Sequence, residues 1–104
     1  MSKIGGTQSE RDIKKQCRKY LVTIPDSKWV SYNPYPTGEP GTPDVIGCIN
    51  EKSVLIEYKM LGKALSPLQI KRQDEWREAG AICLVIHSLA ELKECIKIIQ
   101  GGQR

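Results

Sequence analysis

The sequence predicts an α/β domain in which helices cover both faces of a mixed, four-stranded sheet. Two β-branched apolar runs flank a polar turn within residues 41–59, which is the pattern of a β-hairpin. A continuous apolar run over residues 81–87 lies between two segments that carry helix-capping signals, as expected for a strand between helices. The chain has 104 residues, so we expect one domain, 1–104, with flexible ends at 1–6 and 101–104.

The amino-acid composition predicts an ordinary globular protein. The chain is 39% hydrophobic and 27% charged, no apolar run approaches the ~20 residues that span a bilayer, and no signal peptide is evident. We therefore expect no membrane association and a cytoplasmic location. Four cysteines lie in apolar or amphipathic runs without a C-x-x-C pair, which predicts reduced, buried thiols and no zinc site: Cys17, Cys48, Cys83 and Cys95.

The first helix is predicted from Thr7 to Leu21. Its inward face repeats at i, i+4 and i+8, while four basic residues take the outer surface: Lys14, Lys15, Arg18 and Lys19. The first 21 residues hold six basic and two acidic side chains, and the rest of the chain is balanced, so the net charge of +4 belongs to this helix and its leader. A basic helix suits a phosphate backbone, but a solvated helix face has the same composition.

Glu10 has two interpretations. Thr7-x-x-Glu10 is a capping box, in which the Glu10 side chain would satisfy a backbone N–H at the helix start. Glu10 also shares the inward face with Ile13, so it could instead supply a carboxylate to a site beneath the helix.

Residues 22–43 contain five of the six prolines and predict a short strand at 28–32 followed by a rigid loop at 33–42. Trp29, Tyr32 and Tyr35 are interleaved with the prolines. These aromatic rings could stack on unpaired bases, or they could cover the core.

Two further helices flank the fourth strand. Ser66 is the predicted N-cap of the next helix, Pro67 its first residue and Gln69 its third, and Gly80 ends it. Gln69 could therefore cap the helix, or it could point at the sheet end and support a site there. Ser88 and Glu91 form a capping box for the last helix, and the only histidine, His87, has no ligand partner at metal spacing, so we expect it to be structural.

The hairpin predicts where charged groups gather. If it turns at Glu51-Lys52, Asp44 lies opposite Lys59. Ile46 lies opposite Glu57 in the same register. Opposed residues project from the same side of a sheet, and side chains alternate along each strand. Asp44, Glu57 and Lys59 should then share one face at one end of the hairpin, whereas a slip by one residue would separate Asp44 from Glu57.

Two neighbouring carboxylates repel each other and require a cation. Oxygen ligands with open positions suit Mg²⁺, which keeps several waters and often meets phosphate. A lysine beside them can orient a water or stabilise charge that develops at phosphorus. This set of groups is typical of phosphodiester cleavage, although edge-strand charges and a turn-capping Asp44 would give the same pattern.

Several motifs stand in a fixed order along the chain: Gly41-x-Pro43-Asp44-x-x-Gly47, Glu57-Tyr58-Lys59, Gly62, Leu65-Ser66-Pro67-x-Gln69 and Gly80. From about Ser9 to Ile99, the chain resembles the virus-type replication-repair nuclease (VRR-NUC) family of the PD-(D/E)xK superfamily. The resemblance implies a restriction-endonuclease-like α-β-β-β-α-β-α core.

The same resemblance implies roles for individual residues. Asp44 and Glu57 would ligate Mg²⁺ or Mn²⁺ together with the main-chain carbonyl of Tyr58, and Lys59 would position the attacking water. Glu10 would be a further acid of the site, and Gln69 would support it.

The resemblance also implies a virus or prophage origin, no nucleotide cofactor, and a homodimer that cleaves branched DNA such as a four-way junction. Two alternatives stay open: a DNA-binding module without turnover, and a restriction-type or nicking nuclease on duplex or flap DNA. Ile70, roughly opposite the inward face of its helix, is a candidate dimer contact.

Overall fold

The computed structural model describes residues 9–32 and 39–101, and the predicted α-β-β-β-α-β-α order is confirmed. The elements are α1 (Glu10–Leu21), β1 (Ser27–Ser31), β2 (Val45–Ile49), β3 (Lys52–Tyr58), α2 (Pro67–Glu78), β4 (Ile82–Ile86) and α3 (Leu89–Gly101). The strands lie in the order β1-β2-β3-β4; the first two pairs are antiparallel and the last is parallel. The predictions for residues 1–6, for Tyr35 and for most of the 33–42 loop lie outside the described residues.

Helices cover both faces of the sheet, as predicted. The apolar stripes of α1 and α3 pack on one face, in a core with Val54, Ile56 and Ile86. Helix α2 lies on the other face, where the Cys83 thiol donates to the carbonyl of Gln73 at 3.7 Å. No described helix has the length and apolar character to cross a membrane.

The predicted hairpin register is wrong by two residues. The strands join through Asn50 and Glu51, which both have positive φ, 54° and 65°, as a tight two-residue turn requires. Ile46 therefore pairs with Leu55, not with Glu57. A shift by two residues conserves the alternation of side chains, so Asp44 and Glu57 stay on the same face.

The first helix begins later than predicted, and its cap differs. The helix starts at Glu10, and the Ser9 hydroxyl accepts a hydrogen bond from the Asp12 N–H at 3.1 Å. The predicted capping role of Glu10 is therefore wrong, because Ser9 serves as the N-cap and Glu10 is the first helical residue.

The start of the last helix also departs from prediction. Ser88 caps α3 by accepting from the Glu91 N–H, but the Glu91 carboxylate accepts from the His87 N–H at 2.6 Å instead of from Ser88. The His87 ring lies 3.0 Å from the same carboxylate. His87 therefore has a carboxylate partner, and its structural role stays a prediction.

Strand β4 was predicted to be buried, but it forms an edge of the sheet. Only Ile86 is fully buried, and the other four residues are half-buried, because nothing pairs with the outer side of β4 among the described residues. The cysteines also differ from prediction. All four thiols are free, yet only Cys17 is buried and Cys48 is exposed.

Candidate active site

Asp44 and Glu57 meet at one end of the sheet. The ladder between β2 and β3 ends at the pair Val45–Ile56, and the next position outward places Asp44 opposite Glu57. Asp44 Oδ2 accepts a hydrogen bond from the Tyr58 N–H at 2.8 Å, which holds the first carboxylate against β3. The structure thus brings together the two acids that the hairpin pattern predicted.

Glu57 is an unusual carboxyl group. It is 5% exposed, and burial together with the neighbouring Asp44 carboxylate raises its pKa to about 8. Lys59 acts in the opposite direction and lowers this pKa, which places its ammonium within electrostatic reach of Glu57. A buried carboxylate beside a second carboxylate is costly without further positive charge, so the site favours a proton or a cation.

Gln69 both caps helix α2 and contacts Glu57 at the sheet end, so the two interpretations from the sequence are compatible. Its side-chain oxygen accepts from the Ser66 N–H at 2.9 Å, which completes the capping box of α2. Its side-chain amide donates to Glu57 Oε2 at 2.8 Å. The start of α2 is therefore tied to the buried acid through one side chain.

Lys14 belongs to the site, although the sequence placed it on the outer surface of α1. Its ammonium lies 3.3 Å from Glu10 Oε2 and 3.6 Å from Asp44 Oδ1. Burial lowers the pKa of Lys14, but the two carboxylates more than offset this, so the pKa lies above its ordinary value. The i, i+4 spacing from Glu10 could have indicated the first contact; the second depends on tertiary packing.

The segment before Asp44 is anchored to α2. Arg72 Nε lies 2.9 Å from Glu39 Oε2 and donates to the Pro40 carbonyl at 3.3 Å. Gly41 has a φ of 83°, and a β-carbon there would lie 2.9 Å from Leu68 Cγ. Sequence reasoning did not assign this role to Arg72, because it depends on a contact across more than 30 positions.

The donor groups fit a hard divalent cation. Asp44 and Glu57 supply carboxylate oxygens, and the raised pKa of Glu57 indicates a place where positive charge is favoured. Within residues 9–32 and 39–101, no three His, Cys, Asp or Glu side chains form a cluster able to hold a metal. A cation bound by the two acids would therefore need backbone or water oxygens, and Glu10 and the Tyr58 carbonyl as ligands stay predictions.

Trp29 and Tyr32 lie in different surroundings, and stacking on bases stays a prediction for Tyr32. The Trp29 ring packs against the core, and a β-carbon at the opposed Gly47 would lie 2.1 Å from it. Tyr32 is only partly buried, and its hydroxyl accepts from the Glu39 N–H at 3.0 Å. Both rings line a groove between α1 and β1 that reaches Asp44.

Comparison with known proteins supports the fold assignment. A solved structure described as "VRR_NUC domain" superposes with a TM-score of 0.65; it is 21% identical, and the match covers 88% of this chain and 95% of that one. The two chains therefore share a fold. No protein-family model and no curated protein sequence matches the chain.

Proposed function

We propose that this protein is a metal-dependent DNA endonuclease that hydrolyses phosphodiester bonds in branched DNA and uses Mg²⁺ or Mn²⁺. The observation that carries the proposal is the meeting of Asp44 with the buried Glu57 at the sheet end, with Lys59 in electrostatic reach. The shared fold with a structure described as a VRR_NUC domain supports it.

Each residue has a role in this mechanism. Asp44 and Glu57 would hold the divalent cation, which when bound supplies a water of lowered pKa and neutralises charge on the phosphate. Lys59 would hold the attacking water in line and donate to the phosphate oxygens. Gln69 orients the Glu57 carboxylate through its 2.8 Å hydrogen bond, and the Tyr58 N–H orients Asp44.

Lys14 would serve the same site from the first helix. Its ammonium contacts Asp44 and Glu10, and it can turn to a phosphate oxygen once a cation compensates the acids. Glu10 would contribute through Lys14 or as a further ligand.

A DNA-binding module without turnover is the main alternative. The burial of Glu57 argues against it, because Glu57 is 5% exposed beside Asp44, and an ionised carboxylate there is costly unless a cation is bound. Mere binding of DNA gains nothing from such a pair. We propose further that two copies act together, since a symmetric junction presents two strands to be cut.

A cleavage assay tests the proposal. Labelled four-way junction, flap and linear duplex are incubated with wild type, Asp44→Asn, Lys59→Ala and the control Lys97→Ala, with Mg²⁺ or with EDTA. Lys97 lies on α3, where it pairs only with Glu94 among the described residues. We expect wild type and the control to cut branched DNA in Mg²⁺ alone, and both site variants to bind DNA without cutting.

The conservative Asp44→Asn change keeps an oxygen for the Tyr58 N–H, so lost cleavage would not reflect lost folding. Cleavage by Asp44→Asn at the wild-type rate would contradict the proposed role of the acids. Cleavage of branched DNA in EDTA would contradict metal dependence.

A further inference from the structure

The ammonium of Lys14 lies between two carboxylates of the candidate site. Its Nζ is 3.3 Å from Glu10 Oε2 and 3.6 Å from Asp44 Oδ1. The other Asp44 oxygen, Oδ2, accepts a hydrogen bond from the Tyr58 N–H at 2.8 Å. Lys14 therefore contacts the Asp44 oxygen that Tyr58 does not engage, which is the oxygen best placed to ligate a metal ion.

A single positive charge thus joins two acids that come from different parts of the chain. Glu10 lies on α1, whereas Asp44 precedes β2. Within residues 9–32 and 39–101, no three acidic, histidine or cysteine side chains form a cluster able to hold a metal. The Lys14 ammonium lies between Glu10 and Asp44, where such a cluster would have to close. Lys14 therefore supplies the positive charge that a divalent ion bound to these acids would supply.

The Lys14 side chain can leave this position without a change in the helix. It is 44% exposed, and four rotatable carbons separate its ammonium from the α1 backbone. It also lines the groove between α1 and β1, which gives the ammonium space to move into. Ion pairs with this degree of exposure are weak, because water solvates both partners when they separate.

We propose that Lys14 is an internal counter-ion, which compensates Asp44 before a metal ion binds and competes with that ion for the same carboxylate oxygen. The inference rests on the proposed function, because it concerns the metal site of the proposed nuclease. A lysine ammonium and a divalent ion at one oxygen repel each other. Metal binding therefore includes the cost of moving Lys14 away, and Lys14 lowers the affinity of the site for metal.

Metal binding without DNA tests this competition separately from cleavage. Isothermal titration calorimetry with MnCl₂, at one fixed pH, compares wild type with Lys14→Gln and Lys14→Arg. Lys15→Gln is the matched control, since it removes the same charge from the neighbouring position of α1, and Lys15 lines the same groove. Asp44→Asn, alone and combined with Lys14→Gln, shows whether the ion binds at the candidate site.

We expect Lys14→Gln to bind Mn²⁺ about tenfold more tightly than wild type, which is the effect of removing a unit charge close to a divalent ion in water. Lys14→Arg keeps the competing charge, so its affinity should stay within about twofold of wild type. The same holds for Lys15→Gln, because solvent and salt screen a charge that does not contact the ion. Asp44→Asn should abolish binding in both backgrounds.

Urea unfolding distinguishes competition from a merely structural role of Lys14. In EDTA, Lys14→Gln should be no more stable than wild type, because it loses the contacts to Glu10 and Asp44. At one subsaturating Mn²⁺ concentration, the variant should gain more stability than wild type, since tighter binding stabilises the folded state more. A loss of stability of the same size in EDTA and in Mn²⁺ would show that Lys14 only supports the fold, and would overturn the inference.

The calorimetric outcomes separate the inference from the proposed function. Equal Mn²⁺ affinity of wild type and Lys14→Gln, or an equal gain in Lys15→Gln, would overturn the competition and leave the nuclease proposal standing. Mn²⁺ binding by Lys14→Gln but not by wild type would support the competition in its strongest form. An absence of Mn²⁺ binding in both proteins would remove the metal site, and both proposals would fail together.

Discussion

At the scale of single residues, the candidate site depends on one buried acid. Glu57 is nearly inaccessible, contacts Gln69, and has a pKa raised to about 8 by burial and by Asp44. Two neighbouring residues stabilise the Glu57 carboxylate. Gln69 donates a hydrogen bond to it, and the positive charge of Lys59 lowers its pKa, whereas Asp44 raises that pKa. A group held in this way carries a proton until a cation replaces it.

This predicts a pH-dependent stability in the absence of metal. The ordinary pKa of Glu57 is 4.5 and the folded value is about 8, so between these values the folded protein keeps a proton that the unfolded chain releases. The free energy of unfolding should therefore fall as pH rises through this window. Glu57→Gln, which keeps an acceptor for Gln69, should remove that part of the slope.

Urea unfolding of wild type and Glu57→Gln in EDTA, at pH values across 4.5 to 8, measures the difference. The two proteins should differ least at the acid end and most at the alkaline end, where the variant should be more stable. Parallel curves for the two proteins would mean that Glu57 titrates normally in the folded state.

At the scale of elements, the β2–β3 hairpin positions Asp44 and Glu57. Its turn requires positive φ, and the middle of β2 requires a residue without a side chain. Asn50 and Glu51 adopt positive φ at the turn, which asparagine accommodates better than glutamate. Gly47 lies in the middle of β2, where a β-carbon would meet the Trp29 ring at 2.1 Å and the Lys28 carbonyl at 2.5 Å. The turn sets the register, and the glycine permits β1 to pack closely.

Opposite changes of stability are expected at these two positions. Glu51→Gly should stabilise the fold by about 0.5–1 kcal/mol, because glycine adopts positive φ without steric cost. Gly47→Ala should destabilise it by about 2 kcal/mol, since both the ring and a backbone carbonyl would have to shift. Urea unfolding measures both free-energy changes, provided that the m-values do not change. A Gly47→Ala variant as stable as wild type would contradict the close packing of Trp29.

At the scale of the whole molecule, charge and exposed apolar surface are distributed unevenly. Basic side chains of α1 line the groove beside β1, whereas the exposed Ile70 lies on α2 and the half-buried edge strand β4 lies at the other end of the sheet order. The proposed surface for nucleic acid and the candidate surface for a second copy therefore belong to different elements.

The proposed dimer is expected to depend on α2. Ile70 is 48% exposed, so Ile70→Glu should leave the fold intact while placing a charge in an interface. Light scattering with and without branched DNA should give dimer mass for wild type and monomer mass for the variant. A monomer mass for wild type in both conditions would exclude the paired arrangement, and a dimeric Ile70→Glu would place the interface elsewhere.

Much of the fold could be predicted because its signals are local. Helix caps such as Ser66, the apolar stripes, and the two runs of the hairpin each depend on backbone geometry within a few residues. The shared face of Asp44 and Glu57 was predicted for the same reason. Side chains alternate strictly along strands, so an error of two residues in register did not separate them.

The sequence by itself determined the order of elements, the capped helices and the side of the sheet on which the two acids lie. Only the tertiary structure decided that Lys14 contacts Asp44, that Arg72 anchors the segment before it, and that a basic groove forms between α1 and β1. These features depend on how elements distant in sequence pack together. Packing also decides how deeply Glu57 is buried, and burial together with Asp44 raises its pKa.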